Sequence, residues 1–213
     1  MDHNIAKIRH DYNLKGLHET DLAPDPLKQF KLWFSDVLNA GISEANAMLL
    51  STVLNGRPSG RIVLLKDLNE TGFSFFTNYQ SKKGEEIGAN PQVALTFFWK
   101  ELERQVRIEG SIQKTTAAES DEYFAVRPRG SQIGAWVSDQ SEVITGRDIL
   151  EAKTRELNER FEGQTVPRPP HWGGYRVIPD YIEFWQGRPS RLHDRLAYLK
   201  TADSSWKIER LSP

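Results

Sequence analysis

Apolar positions recur every three to four residues at Phe30, Trp33, Phe34, Val37 and Leu38, a spacing that predicts an amphipathic helix. Asp25-Pro26 ahead of it supplies an N-cap and a first-turn proline, and the helix is expected to end near Gly41. From Ala47 the pattern changes to β-branched and aromatic runs, which predict strands over 47–54, 60–67, 73–78, 92–100 and 103–113, with turns at Asn55-Gly56 and Glu70-Thr71-Gly72. Helical spacing returns at 81–89, 117–126, 130–137 and 146–162, where Ile149, Leu150, Lys153 and Leu157 are interleaved with charges. Three further strands are expected near 174–185, 191–200 and 205–211. Strands in such succession predict a mainly antiparallel barrel with peripheral helices, an α+β chain. Residues 1–24 are polar and without a period, and predict a flexible arm that orders only against something else; residues 25–213 read as a single domain.

Charge narrows the possible partners. Lys plus Arg (28) nearly balance Asp plus Glu (29), so no overall field draws the chain to nucleic acid or to a membrane, and any basic site must be local. The chain has no cysteine, which removes thiolate catalysis, disulfides and cysteine-based metal sites, and is compatible with a cytoplasmic location. The first twenty residues lack the apolar core of a signal peptide, and no apolar run approaches a membrane span, so a soluble protein is expected. His3, His10, His18 and His171 have no metal-ligand spacing, and no metal is expected. No internal repeat is present, and Pro167-Arg168-Pro169-Pro170 reads as a stiff connection.

Several segments carry candidate chemistry. On a strand, Arg191, His193 and Arg195 would share one face while Leu192 and Asp194 face the other way, as half of a binding site for an anion or polar ligand or as a basic surface strand. Ser81 reads as the N-cap of a helix whose first turn carries Lys82 and Lys83, against the positive end of the helix dipole. An anion there would relieve the conflict, although two solvated lysines cost only about 0.3–1 kcal/mol. Arg61 and Lys66 bound an apolar strand and differ in parity, which assigns them to different partners. Tyr123, Arg127 and Ser131 are spaced four apart across a helix break at Arg127-Pro128-Arg129-Gly130, and would share a side if helical geometry persisted. Gln105, Gln140-Ser141 and Trp185 could address a planar heterocycle, or belong to the core and its rim.

Together, Arg61-Ile-Val-Leu-Leu-Lys66, Phe76-Thr-Asn78, Ser81-Lys-Lys83, Leu102-Glu-Arg-Gln-Val106, Arg127-Pro-Arg-Gly-Ser-Gln-Ile-Gly-Ala-Trp136 and Ile182-Glu-Phe-Trp-Gln-Gly187 with Arg191-Leu-His-Asp-Arg195 resemble the pyridoxine (pyridoxamine) 5′-phosphate oxidase family. The resemblance runs from about Arg9 to Pro213. It implies an FMN-binding split β-barrel and a homodimer with two flavins held between the subunits. It places the FMN phosphate and ribityl chain near Arg61, Lys82, Lys83 and Ser141, and the flavin ring near Ile62, Val63, Leu64, Leu65, Lys66, Phe76, Thr77, Gln105, Gln140, Trp185 and Arg195. It gives the substrate phosphate to Lys66, Tyr123, Arg127 and Ser131, sets Arg191 and His193 beside the carbon that is oxidised, and brings Arg9 and Tyr12 from the arm as a lid.

The implied reaction is oxidation of pyridoxine 5′-phosphate or pyridoxamine 5′-phosphate to pyridoxal 5′-phosphate, with oxygen as acceptor, hydrogen peroxide as product, and ammonia released from the amine. Arg191 and His193 are the candidate catalytic residues. Lys82 and Phe76 stand where relatives often carry arginine and tyrosine. The competing readings are a split-barrel flavin reductase of other specificity, which would lack the substrate-phosphate set, and a non-catalytic flavin or pyridoxal phosphate carrier.

Overall fold

A computed structural model describes Lys7 and residues 11–213. Arg9, expected in a lid, lies outside the described residues. Pro26–Asn39 forms helix α1, capped by the Asp25 carboxylate, which accepts from Leu27 N (2.7 Å) and Lys28 N (3.0 Å). Phe30, Trp33 and Val37, at i, i+3 and i+7, are its buried stripe. Leu38, expected in that stripe, is 57% exposed because it lies a further 100° around the helix.

The strands are β1 (Ala47–Leu54), β2 (Arg57–Leu64), β3 (Asp67–Asn69), β4 (Gly72–Asn78), β5 (Gln92–Trp99), β6 (Arg104–Lys114), β7 (Trp172–Gln186), β8 (Asp194–Lys200) and β9 (Trp206–Leu211). They link in the order β2-β1-β5-β6-β7-β4-β3, with β8 on β7 and β9 on β8, so the hydrogen-bonded path among the described residues is an open sheet rather than a closed barrel. The pairs β3–β4, β4–β7, β7–β8 and β8–β9 are antiparallel. The remaining helices are α2 (Lys82–Ala89), α3 (Ala117–Ala125), α4 (Arg129–Val137) and α5 (Arg147–Arg160).

Two strand expectations need correction. Asn55 and Gly56 both have positive φ (51° and 74°), a two-residue hairpin that starts β2 at once at Arg57 and ends it at Leu64. Lys66 therefore lies beyond the strand, its N–H bonded to Ser74 O (2.8 Å), and strand parity does not relate it to Arg61. The segment 191–193 is not a strand either. Pro189–Arg191 forms a 3-10 turn closed by Leu192 N to Pro189 O (3.1 Å), with Ser190 and Arg191 left-handed (φ 59° and 61°), and β8 begins only at Asp194. Arg191, His193 and Arg195 thus share no strand face.

The chain divides into two compact units, one of residues 1–49, 94–110 and 179–213, the other of 50–93 and 111–178. In the first, Phe30 packs on Phe97 (5.0 Å between centroids) and Trp33 on Phe184 (5.1 Å). Phe30, Phe97 and Phe184 are wholly buried, each worth about 1.5–3 kcal/mol. The segment ahead of α1 is tied down, with Tyr198 OH donating to Ala23 O (2.6 Å), Leu17 N to Asp194 Oδ2 (3.0 Å) and Leu14 N to Glu103 Oε2 (3.1 Å). In the second unit β4 lies on β7 in the register Phe73↔Val177 to Asn78↔Trp172, and Phe124, Ile133, Leu157, Phe161 and Trp172 build a core under α3, α4 and α5.

Candidate functional site

The second unit contains an open cleft of about 650 Å³, within the usual size of a small-molecule site. The end of β2 gives it Ile62, Val63 and Leu64, with Lys66 just beyond; β4 gives Phe76, Thr77 and Asn78; α2 gives Lys83. Tyr123, Arg127, Ser131, Gln140 and Trp172 complete the lining that matters for charge and stacking. Among the described residues three cations, Lys66, Lys83 and Arg127, face the cleft and no carboxylate does. Such a lining selects an anion.

Lys83 owes its place to a close helix start. The Ser81 hydroxyl accepts from Gly84 N, and a Cβ at Gly84 would overlap the Tyr79 carbonyl, so only glycine lets the first turn of α2 approach this closely. Lys83 Nζ donates to Gln140 Oε1 (2.7 Å), Ser81 Oγ (3.1 Å) and Thr77 Oγ1 (3.2 Å), all neutral. Burial, and then the nearby Arg61 charge, bring its pKa down to about 8. Lys82 is exposed; its backbone N–H donates to the Ser141 hydroxyl (3.2 Å), and Ser141 itself is left-handed (φ 79°).

Another part of the lining is aromatic. Phe76 stacks on Tyr123 (4.0 Å, 21°) and on Trp172 (5.6 Å, 14°), and the Arg127 guanidinium lies 4.4 Å from the Trp172 ring centroid. Arg127 Nη1 is buried without a hydrogen-bond partner among the described residues, and burial pushes its pKa down. An unpaired buried guanidinium donor is costly unless a ligand satisfies it. Helix geometry does not persist from Tyr123 to Ser131, since α3 stops at Ala125 and α4 starts at Arg129, yet Tyr123, Arg127 and Ser131 all line the cleft.

Arg61 does not line it. Its Nη1 donates to Thr52 Oγ1 (2.6 Å) and Leu50 O (3.4 Å), and its Nη2 to Ser59 Oγ (2.6 Å) and Glu86 Oε2 (2.7 Å). Leu65 is buried and is also absent from the lining. Sequence reasoning missed Trp172, Thr52, Ser59 and Glu86. The one available signal was Glu86 standing four residues after Lys82 on a helix.

The first unit groups other candidates. The His193 ring lies 4.6 Å from Trp185 and 5.7 Å from Tyr12, and its Nδ1 accepts from Arg188 N (3.1 Å). Burial and then Arg191 lower its pKa, so near neutral pH the ring is uncharged and carries its proton on Nε2. Arg191 is exposed. Arg195 donates from Nε and Nη2 to the two oxygens of Glu183 (2.9 and 3.0 Å), a buried carboxylate also bonded by Tyr181 OH (2.9 Å). Burial alone would raise the Glu183 pKa, but the Arg195 and Tyr181 hydrogen bonds prevail and hold it down. Gln105 is half-buried on β6.

Fold and cleft define an α+β protein with a cation-rich, aromatic-lined cleft. Residues 34–161 match the family model described as pyridoxamine 5′-phosphate oxidase, and residues 172–213 match that of the pyridoxine 5′-phosphate oxidase C-terminal dimerisation region. The chain is 59% identical to a pyridoxine/pyridoxamine 5′-phosphate oxidase of Burkholderia lata and 55% identical to one of Cupriavidus metallidurans, in both cases over 98% of this chain and 99% of the relative. A relative of the same description from a Nostoc species is 56% identical over the full length of both. Among solved structures, PhzG from Burkholderia lata in complex with tetrahydrophenazine-1-carboxylic acid superposes with a TM-score of 0.89 at 28% identity, covering 96% of this chain and all of that one. A pyridoxamine 5′-phosphate oxidase-related FMN-binding protein from Nostoc punctiforme shares the fold, with a TM-score of 0.71 at 16% identity over 90% of this chain and all of that one. The chain belongs to the pyridoxine/pyridoxamine 5′-phosphate oxidase family, whose named relatives are oxidoreductases, and it carries the family's dimerisation region.

Proposed function

We propose that the protein is an FMN-dependent oxidase with the split-barrel fold. It converts pyridoxine 5′-phosphate and pyridoxamine 5′-phosphate to pyridoxal 5′-phosphate, as a cytoplasmic homodimer with FMN at the subunit interface. The observation that carries this reading is the cleft, where the described residues place three cations, no facing carboxylate and an Arg127 Nη1 without a hydrogen-bond partner. The relatives' names supply the substrate class. The residues fit FMN, because the cleft offers a desolvated lysine at a helix N-terminus for a phosphate and an apolar edge, Ile62 to Leu64, for a planar ring.

When bound, FMN supplies the two-electron acceptor and the route to oxygen. The alcohol and oxygen give aldehyde and hydrogen peroxide; the amine, oxygen and water give aldehyde, ammonia and hydrogen peroxide. Lys82, Lys83, Ser141 and Arg61 are assigned to the FMN phosphate and ribityl chain. Ile62 to Lys66, Phe76, Thr77, Gln105, Gln140, Trp185 and Arg195 are assigned to the ring. Lys66, Tyr123, Arg127 and Ser131 bind the substrate phosphate, and fixing that end orients the pyridine ring for transfer. Arg191, His193 and Tyr12 address the rest of the substrate. His193, uncharged with its proton on Nε2, donates a hydrogen bond to the exocyclic oxygen or nitrogen rather than removing a proton with that atom.

The test supplies FMN-loaded protein with pyridoxine 5′-phosphate, pyridoxine, or tetrahydrophenazine-1-carboxylic acid in air. Pyridoxal phosphate and hydrogen peroxide formed in equal amounts, with the unphosphorylated alcohol turned over poorly, is the expected result. Turnover of the tricyclic acid alone would overturn the substrate assignment.

A further inference from the structure

Arg61 is assigned to a phosphate, yet its two terminal nitrogens are fully engaged by the protein. The partner that decides its charge balance is Glu86, on α2, one turn beyond Lys82. Glu86 is 3% exposed and its Oε2 accepts from Thr52 Oγ1 (2.6 Å) and Arg61 Nη2 (2.7 Å), while Oε1 lies 3.9 Å from Lys82 Nζ. Thr52 Oγ1 also accepts from Arg61 Nη1 (2.6 Å), so carboxylate, hydroxyl and guanidinium close a ring of three contacts.

A buried carboxylate so close to an anion site weakens the field there, and a protein needing only a hydrogen-bond acceptor could have used a neutral side chain. What the charge adds is control over the cations. Without Glu86, Arg61 would keep only the neutral partners Thr52, Ser59 and the Leu50 carbonyl, and its uncompensated charge would press on Lys83. We infer that Glu86 is a positioning residue for the anion site: it anchors Arg61 between β1, β2 and α2, and offsets the Arg61 charge beside the helix start that carries Lys82 and Lys83. The inference rests on the reading of the cleft as an FMN site.

Lys83 itself supports the second half. Its pKa of about 8 reflects burial first, then the Arg61 charge, with Glu86 acting in the opposite direction. The charged groups that bear on it are Arg61 from β2 and Glu86 from α2, with Lys82 beside it on the same helix; its contacts from β4 and from the segment after α4, Thr77 and Gln140, are neutral. Anion binding needs the protonated amine. Affinity is therefore full below the Lys83 pKa and falls as pH rises through it. Loss of Glu86 lowers that pKa and brings the fall to lower pH.

The experiment titrates apoprotein with FMN, read by quenching of flavin fluorescence between pH 7 and 9, for the wild type, Glu86→Gln, Glu86→Ala and the control Glu85→Gln, which removes an exposed charge from the same helix. Near-UV circular dichroism reports folding. At pH 7 Glu86→Ala is expected to weaken binding about tenfold or more. Glu86→Gln, which retains an acceptor for Arg61 and Thr52, should recover most of this at pH 7 but lose affinity at lower pH than the wild type. Glu85→Gln should match the wild type throughout.

A folded Glu86→Ala protein that binds FMN as the wild type does would overturn the inference. So would tighter binding, which would make Glu86 a competitor of the ligand for Arg61. If Glu86→Ala does not fold, the alkaline limb of Glu86→Gln decides, and coincidence with the wild type counts against the inference. Wild-type apoprotein that fails to bind FMN would overturn the flavin reading itself.

Discussion

Arg127 shows how one side chain can carry specificity. Its guanidinium rests on Trp172 with Nη1 buried and unsatisfied, a state that is stable only when compensated and is best compensated by a charged acceptor. Arg127→Ala is expected to cost about 2 kcal/mol of transition-state binding, or about thirtyfold in kcat/KM for pyridoxine 5′-phosphate, with FMN affinity unchanged. Steady-state kinetics beside a flavin titration would check this. At His193 the direction of the pKa shift sets the pH behaviour. Because the shift is downward from 6.5, the ring stays neutral above that value, and protonation at lower pH removes the Nδ1 acceptor used by Arg188 N. A kcat profile should thus show no His193 limb between pH 7 and 8, and His193→Ala should lower turnover while the protein retains FMN. Loss of bound FMN in His193→Ala would argue against its role at the substrate.

At the scale of elements, helices were the most legible because their starts are written in side chains. Asp25, Ser81 and Thr116 each cap a helix within a residue of the expected start. Thr116 and Glu119 form a capping box that holds α3, and α3 presents Tyr123 to the cleft. Thr116→Ala should cost about 1 kcal/mol, lowering Tm by about 2–4 °C in a chain of this size, as thermal denaturation would show. The Glu119 carboxyl, held at about 2 by Arg176 and by Thr116, contributes stability that is present above the ordinary 4.5 and is lost as pH falls toward 2. Strand ends were less legible. The apolar, β-branched run within 60–67 and the alternation of 191–200 read as strands, but the Asn55-Gly56 hairpin moves β2 three residues earlier, and the turn from Pro189 delays β8 to Asp194. Local composition and alternation do not record where a turn spends its residues.

For the whole molecule, the cations of the site could be found from sequence, whereas their counter-charges could not. Lys66, Lys83 and Arg127 converge in one cleft although the first and last stand 61 positions apart, and the sequence motifs mark all three. Glu183 lies inside the Ile182–Gly187 motif and Glu86 stands four residues after Lys82, yet neither is marked as a counter-charge, because a glutamate on a helix or strand reads as surface until the fold buries it against Arg61 or Arg195. The match of residues 172–213 to a dimerisation region leads to an expected sedimenting species of twice the 24.4 kDa chain mass, and a monomer at micromolar concentration would contradict the proposed assembly. No described helix is long and apolar enough to cross a membrane.

In the proposed reaction electrons pass from a phosphorylated pyridine alcohol or amine to a flavin held by this chain. Its most direct test is the visible spectrum of FMN-reconstituted protein, recorded without oxygen before and after addition of pyridoxine 5′-phosphate. The flavin band should bleach and return when air is admitted, with pyridoxal phosphate in solution. A flavin band unchanged by substrate would contradict the proposed reaction.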